Sequence, residues 1–210
     1  MHLAIKNKIK IKYIIYFTIY FLILSSMFKV NSNALDVDKN IFFGNKDAKI
    51  VVKVFSSLTC PYCADFHKKV FIKLKKEFVD SNLVRFEHHS FPLDLAALNA
   101  EKILRCTNDY KKRIAILNEI YEKQGEWASG NDINNINFRL TKIAKKYDLN
   151  DDRIKSCLVN ENLEDQILEI RINANKNYSI QSTPTIFIND KKYNGNHDYD
   201  LFKKEIEKLL

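Results

Sequence analysis

One short stretch of this chain carries residues suited to redox chemistry, Cys60-Pro61-Tyr62-Cys63, and far downstream a Thr-Pro pair, in Ser182-Thr183-Pro184-Thr185, leads into a second apolar run. Two cysteines with two residues between them make a dithiol that opens and closes as a disulfide. A thiolate attacks a disulfide, whereas a thiol hardly does. What ionises the first sulfur is therefore the first question. An apolar run ends just before Cys60, and Pro61 suits the first position of a helix, where its missing N–H costs nothing. Cys60 would then be the N-cap, facing unpaired backbone N–H groups and the positive end of the helix dipole. Both stabilise an anion and lower the Cys60 pKa. Cys63, one turn in and less exposed, is expected to be the resolving thiol. A lower Cys60 pKa favours the reduced form and makes the disulfide form a stronger oxidant.

Other chemistries fit a Cys-x-x-Cys. It is also half of a zinc site, but a four-cysteine site needs a second close pair. The remaining cysteines, Cys106 and Cys157, are far apart in sequence. His67 extends the motif to C-x2-C-x3-H, a three-ligand set, so a metal-binding assembly factor using Cys60, Cys63 and a histidine is the reading from another class. A purely stabilising disulfide is the weakest option, because so short a loop removes little chain entropy. The expectation is no metal and no cofactor beyond the Cys60-Cys63 disulfide itself.

The elements that must hold this dithiol are legible in the pattern. Ile50 to Phe55 is a nearly continuous apolar, β-branched run, which suits a central strand covered on both faces. Residues 35–49 read as an extended lead-in ending near Gly44-Asn45. From the dithiol onward, Cys63, Phe66, Val70, Leu74 and Phe78 recur at helical spacing and predict one helix with a buried stripe. Lys68, Lys69, Lys73, Lys75 and Lys76 fall on its solvated face. Leu83 to His88 predicts a second strand, and Asp94 after Phe91-Pro92-Leu93 can cap the next helix. From there to Tyr178 the periods are helical, with Gly125 to Asn135 as the clearest loop. Strand character returns at Thr185 to Ile188. Asn189-Asp190 turns the chain toward Lys192-Tyr193, Asn194-Gly195 is a further turn, and Asp198 or Asp200 starts a last helix through Phe202 and Ile206. The class is α/β, with a helical block inserted into one connection.

The charge is uneven. The 210 residues carry a formal +8, but Lys6, Lys8, Lys10, Lys12 and Lys29 sit in the first 34 residues with no acid. The rest is mildly basic, with no basic patch interleaved with stacking aromatics, so nucleic acid is not an expected partner. The first four of those lysines precede an apolar run from Tyr13 to about Phe28, and Ser32-Asn33-Ala34 supplies small residues for cleavage. Residues 1–34 thus read as an export signal, with an uncleaved anchor as the alternative. Export leads to an oxidising compartment, where disulfides persist.

From about Ala48 to the C-terminus the chain resembles the DsbA-like thioredoxin-fold family of exported thiol:disulfide oxidoreductases. The residues that carry the likeness are Phe55-Ser56-Ser57-Leu58-Thr59-Cys60-Pro61-Tyr62-Cys63-Ala64-Asp65-Phe66-His67, Phe91-Pro92-Leu93-Asp94 and Thr183-Pro184-Thr185. The resemblance implies a thioredoxin fold with an inserted helical domain, built from residues 35–93, an insertion at 94–178, and a return at 179–210. It implies a periplasmic enzyme that oxidises exported proteins bearing thiols and is reoxidised by a membrane, quinone-linked partner. Cys60 would attack, Cys63 would resolve, and Pro184 would be a cis-proline facing them, with Thr183 pairing with extended substrate. Two departures follow. Pro61-Tyr62 replaces the familiar Pro-His, and a neutral phenol brings no positive charge, which implies a less oxidising couple. It also favours an isomerase or reductase of the same fold as the alternative, as does Thr183. The buried acid that many relatives place six residues before the first cysteine is here Val54; Lys53 should face the other way. That leaves the proton route to water or a backbone group.

Five further expectations concern individual residues or pairs. Cys106 and Cys157 both fall on apolar helical faces of the inserted block, and a second, structural disulfide between them is expected, with two buried free thiols as the alternative. His88-His89 should end a strand with one ring exposed. His67 should be helix surface or partial core, and Trp127 should pack from a loop onto the block. Tyr62, beside the dithiol, is a candidate for substrate choice.

Overall fold

The computed structural model describes residues 41–210, so the expected export signal and the start of the lead-in lie outside the described residues. Five strands form one sheet: β1 (Ile41–Phe43), β2 (Ile50–Ser56), β3 (Val84–Ser90), β4 (Thr185–Ile188) and β5 (Lys191–Tyr193), in the order β1-β3-β2-β4-β5. β2 and β3 run parallel in register from Ile50 opposite Val84 to Ser56 opposite Ser90, and the other pairs are antiparallel. β2 lies at the centre. Val52 and Val54 enter the main core on one face, while Phe55 packs with Phe91, Ile180 and Phe187 on the other. A strand buried on both faces needs the continuous apolar run seen in its sequence. Gly44 makes the turn after β1: its φ is +96°, and a Cβ there would come within 2.6 Å of the Val84 carbonyl oxygen, so only glycine fits.

The helix after the dithiol, α1, starts at Pro61 (α-helical over Pro61–Phe66 and Ile72–Leu74) and is interrupted by π turns at His67–Phe71 and Lys75–Val79. The predicted stripe is buried throughout, but each π turn adds a residue to its coil and shifts the phase. His67, Phe71 and Val79 therefore join the buried side. An α-period reading leaves His67 at the surface or half in the core. The structure corrects this: His67 is buried, and its Nε2 lies 2.8 Å from Asn118 Oδ1.

Between β3 and β4 run α2 (Leu95–Leu104), α3 (Tyr110–Glu122), α4 (Gln124–Trp127), α5 (Ile133–Lys145), α6 (Asp151–Leu158) and α7 (Glu161–Tyr178). α8 (Tyr199–Glu207) closes the chain on α1, with Phe202 against Phe66. Asp94, Asp109, Asp132, Asn150, Asn160 and Asp198 each cap a helix by accepting from a backbone N–H in its first turn, which removes an otherwise orphaned donor. The stretch read as a loop from Gly125 is shorter: α4 takes up its start and α5 begins at Ile133. Trp127 accordingly sits in α4, buried, with Nε1 donating to the Ile120 carbonyl at 2.7 Å. Cys106 lies just beyond the last residue of α2 and is bonded to Cys157 of α6 across 51 residues.

The expected exposed histidine ring at the end of β3 is not found. His88 and His89 are both buried, His88 Nε2 lying 2.7 Å from Glu101 Oε1 and His89 Nε2 2.8 Å from Glu87 Oε2. The helical block covers the strand end, and a buried imidazole needs such a partner. Burial pushes the Glu101 carboxyl up, but His88, Arg105 and Ser90 outweigh it and hold it below the ordinary value. Among the described residues no helix is long and apolar enough to cross a membrane.

Candidate active site

β2 ends at Ser56, and the turn Ser57-Leu58-Thr59 delivers Cys60 to the start of α1. Cys60 is the N-cap, with extended φ −76° and ψ 120°, and Pro61 follows as the first helical residue. Its backbone N–H donates to the Ser57 carbonyl at 3.1 Å, and its own carbonyl takes the first helix bonds from Cys63 and Ala64 at 3.1 and 3.2 Å. The turn is fastened from the side. Thr59 Oγ1 donates to Asp94 Oδ2 at 2.8 Å, while Asp94 Oδ1 caps α2. Gln124 Nε2 donates to the carbonyls of Leu58 at 2.8 Å and Cys60 at 3.0 Å.

The second stretch meets the first at the sulfur. The Thr183-Pro184 peptide is cis, and Cys60 Sγ lies 3.2 Å from the Thr183 carbonyl oxygen. A protonated Cys60 donates to that carbonyl. The buried Thr183 hydroxyl has no partner of its own by hydrogen-bond geometry among the described residues, and it draws the pKa of the neighbouring sulfurs down. The carbonyl and the hydroxyl thus serve the two protonation states of one sulfur.

Cys60 and Cys63 are both free thiols here, and they are unequal. The Cys60 thiol is lowered from 9.0 to about 5. The Cys63 thiol contributes most, by donating to the Cys60 sulfur. Burial opposes it, and the Thr183 hydroxyl and the N–H groups of Cys63 and Tyr62 add to it. Burial pushes the Cys63 thiol far up, and the neighbouring Cys60 adds to this. At neutral pH the pair is a thiolate and a thiol, which suits the first sulfur to attack and the second to wait.

The other candidates fall into place around this pair. Pro61 and Tyr62 cover the helix start, with Tyr62 69% exposed beside the dithiol. Val54 is buried in the main core, and Lys53 is turned to the opposite face, where it pairs with Asp190 and lies over the Tyr178 ring. His67, the third residue of the metal set, is committed to Asn118, and no group of three or more His, Cys, Asp or Glu among the described residues could hold a metal ion. Cys106 and Cys157 form their own disulfide and take no part in the dithiol. Sequence reasoning missed Gln124 and the Thr59–Asp94 pair, because nothing local marks a glutamine that acts 64 residues away.

A sequence profile described as Thioredoxin matches residues 36–208. A putative protein-disulfide oxidoreductase of Rickettsia conorii is 30% identical, the match covering 82% of this chain and 61% of that protein. Disulfide bond formation protein D of Bacillus subtilis is 31% identical over 80% of this chain and 75% of its own length. The chain thus spans about three-fifths of the length of the rickettsial relatives. The crystal structure of Wolbachia pipientis alpha-DsbA1 superposes with a TM-score of 0.74 at 25% identity, covering 81% of this chain and 90% of that one. On these matches the chain belongs to the DsbA-like branch of the thioredoxin-fold family.

Proposed function

We propose that this protein is an exported, periplasmic thiol:disulfide oxidoreductase that introduces disulfides into other exported proteins through the Cys60-Cys63 dithiol. One observation carries the reading: the Cys60 sulfur sits at a helix start, 3.2 Å from the carbonyl that precedes a cis-proline, with its pKa lowered to about 5. In the oxidised enzyme a substrate thiolate attacks Cys60 Sγ, forming a mixed disulfide and expelling Cys63 as a thiolate. High proton affinity makes Cys63 take a proton at once, which leaves it a poor competitor for the mixed disulfide. A second substrate thiolate then attacks the substrate sulfur, closes the substrate disulfide and expels Cys60. Two electrons pass from the substrate dithiol to the enzyme, and the departing sulfur is the one that is stable as an anion. A low leaving-group pKa speeds that step. The Thr183 backbone is placed to pair with an extended substrate segment next to the reacting sulfur. A membrane partner linked to quinones would then take up the electrons.

The Cys60 pKa, lowered to about 5, is depressed less than the ~3.5 of DsbA itself, which supports a less oxidising couple and fits the absence of histidine between the cysteines. An equilibrium redox titration of the purified protein against glutathione tests the assignment. A potential toward the oxidising end of the oxidoreductase range supports the oxidase. A value close to those of thioredoxin or glutaredoxin assigns a reductase instead. Fractionation of cells carrying the tagged full-length chain tests export: the protein should appear in the periplasm, soluble if the signal is cleaved.

A further inference from the structure

We infer that Gln124, supplied by the inserted helical block, is a positioning residue for the Cys60 nucleophile; this rests on the proposed thiol chemistry of the same site. Its carboxamide nitrogen has two hydrogens, and both are used on the reactive turn, one on the Leu58 carbonyl at 2.8 Å and one on the Cys60 carbonyl at 3.0 Å. Leu58 is completely buried and Cys60 is 7% exposed, so water is poorly placed to replace the donor. Without it, the Leu58 carbonyl loses its donor, and the Cys60 carbonyl is left with only its helix bonds from Cys63 and Ala64. A buried carbonyl left unpaired costs more than the bond itself is worth. The turn would relax, and Cys60 Sγ would leave its position 3.2 Å from the Thr183 carbonyl.

Gln124 is itself held. It opens α4 directly after α3, and the Trp127 Nε1 bond to Ile120 locks the junction of the two helices. The turn is thus fixed from the block at two points, by Gln124 on one side and by Asp94 through Thr59 on the other. The contact is electrostatic as well as steric. The positive end of the amide lies against the Cys60 backbone, next to the sulfur that carries negative charge in the thiolate. Other ionisable groups that act on Cys60 or feel it are Cys63 on α1, Tyr121 on α3 and His197 in the segment between β5 and α8.

The test compares wild type with Gln124→Met, which keeps the length and loses the donor, and Gln124→Glu, which reverses the local charge. The readout is the thiolate absorbance of Cys60 against pH, together with the glutathione equilibrium. Gln124→Met should raise the Cys60 midpoint and cut alkylation at pH 5.5 (chosen near the wild-type midpoint). Gln124→Glu should do so more strongly, by about threefold at that pH for a shift of one pKa unit, and both should make the couple more reducing. If the variants melt lower but keep the wild-type midpoint and potential, Gln124 is merely structural and the inference is overturned. If wild type itself titrates as an ordinary thiol, it is the proposed function that fails. Should neither variant fold, the side-chain amide signals of Gln124 in the wild-type protein decide the matter. Slow exchange and a shift between the reduced and oxidised forms support the inference. Rapid exchange and identical shifts overturn it.

Discussion

At the scale of single residues, the site separates two identical thiols by their surroundings. Cys60 has donors on every side and Cys63 has mainly burial, so one is held at about 5 while the other is driven far above its usual value. The thiolate absorbance of the reduced protein should therefore rise with a midpoint near 5, well below the ordinary cysteine range. Thr183→Val removes a hydroxyl that helps lower that value while keeping the shape. We expect its midpoint to move up by about one unit, a tenfold loss of thiolate well below the wild-type midpoint. An unchanged midpoint would show that the hydroxyl does not act on the sulfur. Cys60→Ser should abolish oxidation of a reduced substrate protein, whereas Cys63→Ser, mixed with a disulfide-bonded substrate whose bond Cys60 attacks with release of one substrate thiolate, should accumulate the mixed disulfide, visible as a mass adduct after acid quench. The asymmetry of the cysteines was legible in the sequence, since Pro61 marks a helix start and a helix start favours an anion on its cap. The partners at Thr183 and Gln124 were not equally legible. Thr183 was marked by the resemblance to a family, and Gln124 is marked only by the tertiary packing.

At the scale of elements, α1 shows how a repeated pattern is bent by packing. Its stripe was readable at α-helical spacing, but the π turns at His67–Phe71 and Lys75–Val79, which pack against the sheet and the inserted block, were not. They bring the His67 ring against Phe71 and Tyr121, at 4.6 and 4.7 Å between centroids. Burial lowers the His67 pKa from 6.5 to about 4, against the pull of Asn118. The folded state thus resists protonating this ring more than the unfolded chain does. His67 costs no stability above pH 6.5, and its contribution is lost as pH falls through that value toward 4. Chemical denaturation of the oxidised protein, in which the dithiol does not titrate, should show declining stability over that interval. His67→Gln should flatten the decline there, and an equal slope in both proteins would refute the assignment. The cap of α2 offers a second check at this scale. Asp94→Ala removes both the cap and the anchor of Thr59, and should cost about 1 kcal/mol from the cap alone.

At the scale of the whole molecule, redox state and stability are linked. The lowered Cys60 pKa stabilises the folded, reduced protein. That contribution is complete above the unfolded value of 9.0 and is lost as pH falls toward about 5, and the oxidised protein lacks it. Cys63, with its raised value, stays protonated across this interval. The reduced form should hold its lead over the oxidised form near neutrality, and the gap between their melting temperatures should narrow steadily on acidification to pH 5. A gap that widened would contradict the sign. The Cys106–Cys157 bond closes a loop of 51 residues, worth about 4 kcal/mol in the chain-entropy account. Replacing both by alanine should lower the denaturation midpoint accordingly, without changing the alkylation rate of Cys60.

The sequence by itself determined the local chemistry and the order of elements. Periodicity marks buried faces, proline and aspartate mark helix starts, and a Cys-x-x-Cys at such a start marks a dithiol, because each of these signals is read over one or two turns of chain. Tertiary structure alone decided which distant groups reach the sulfur and which polar rings are buried. His88, His89 and His67 looked like surface or partly exposed groups until the block covered them and Glu101, Glu87 and Asn118 became their partners. Gln124 gave no sign at all. A hydrogen bond between groups far apart along the chain depends on how two elements pack, and no spacing within either of them records it.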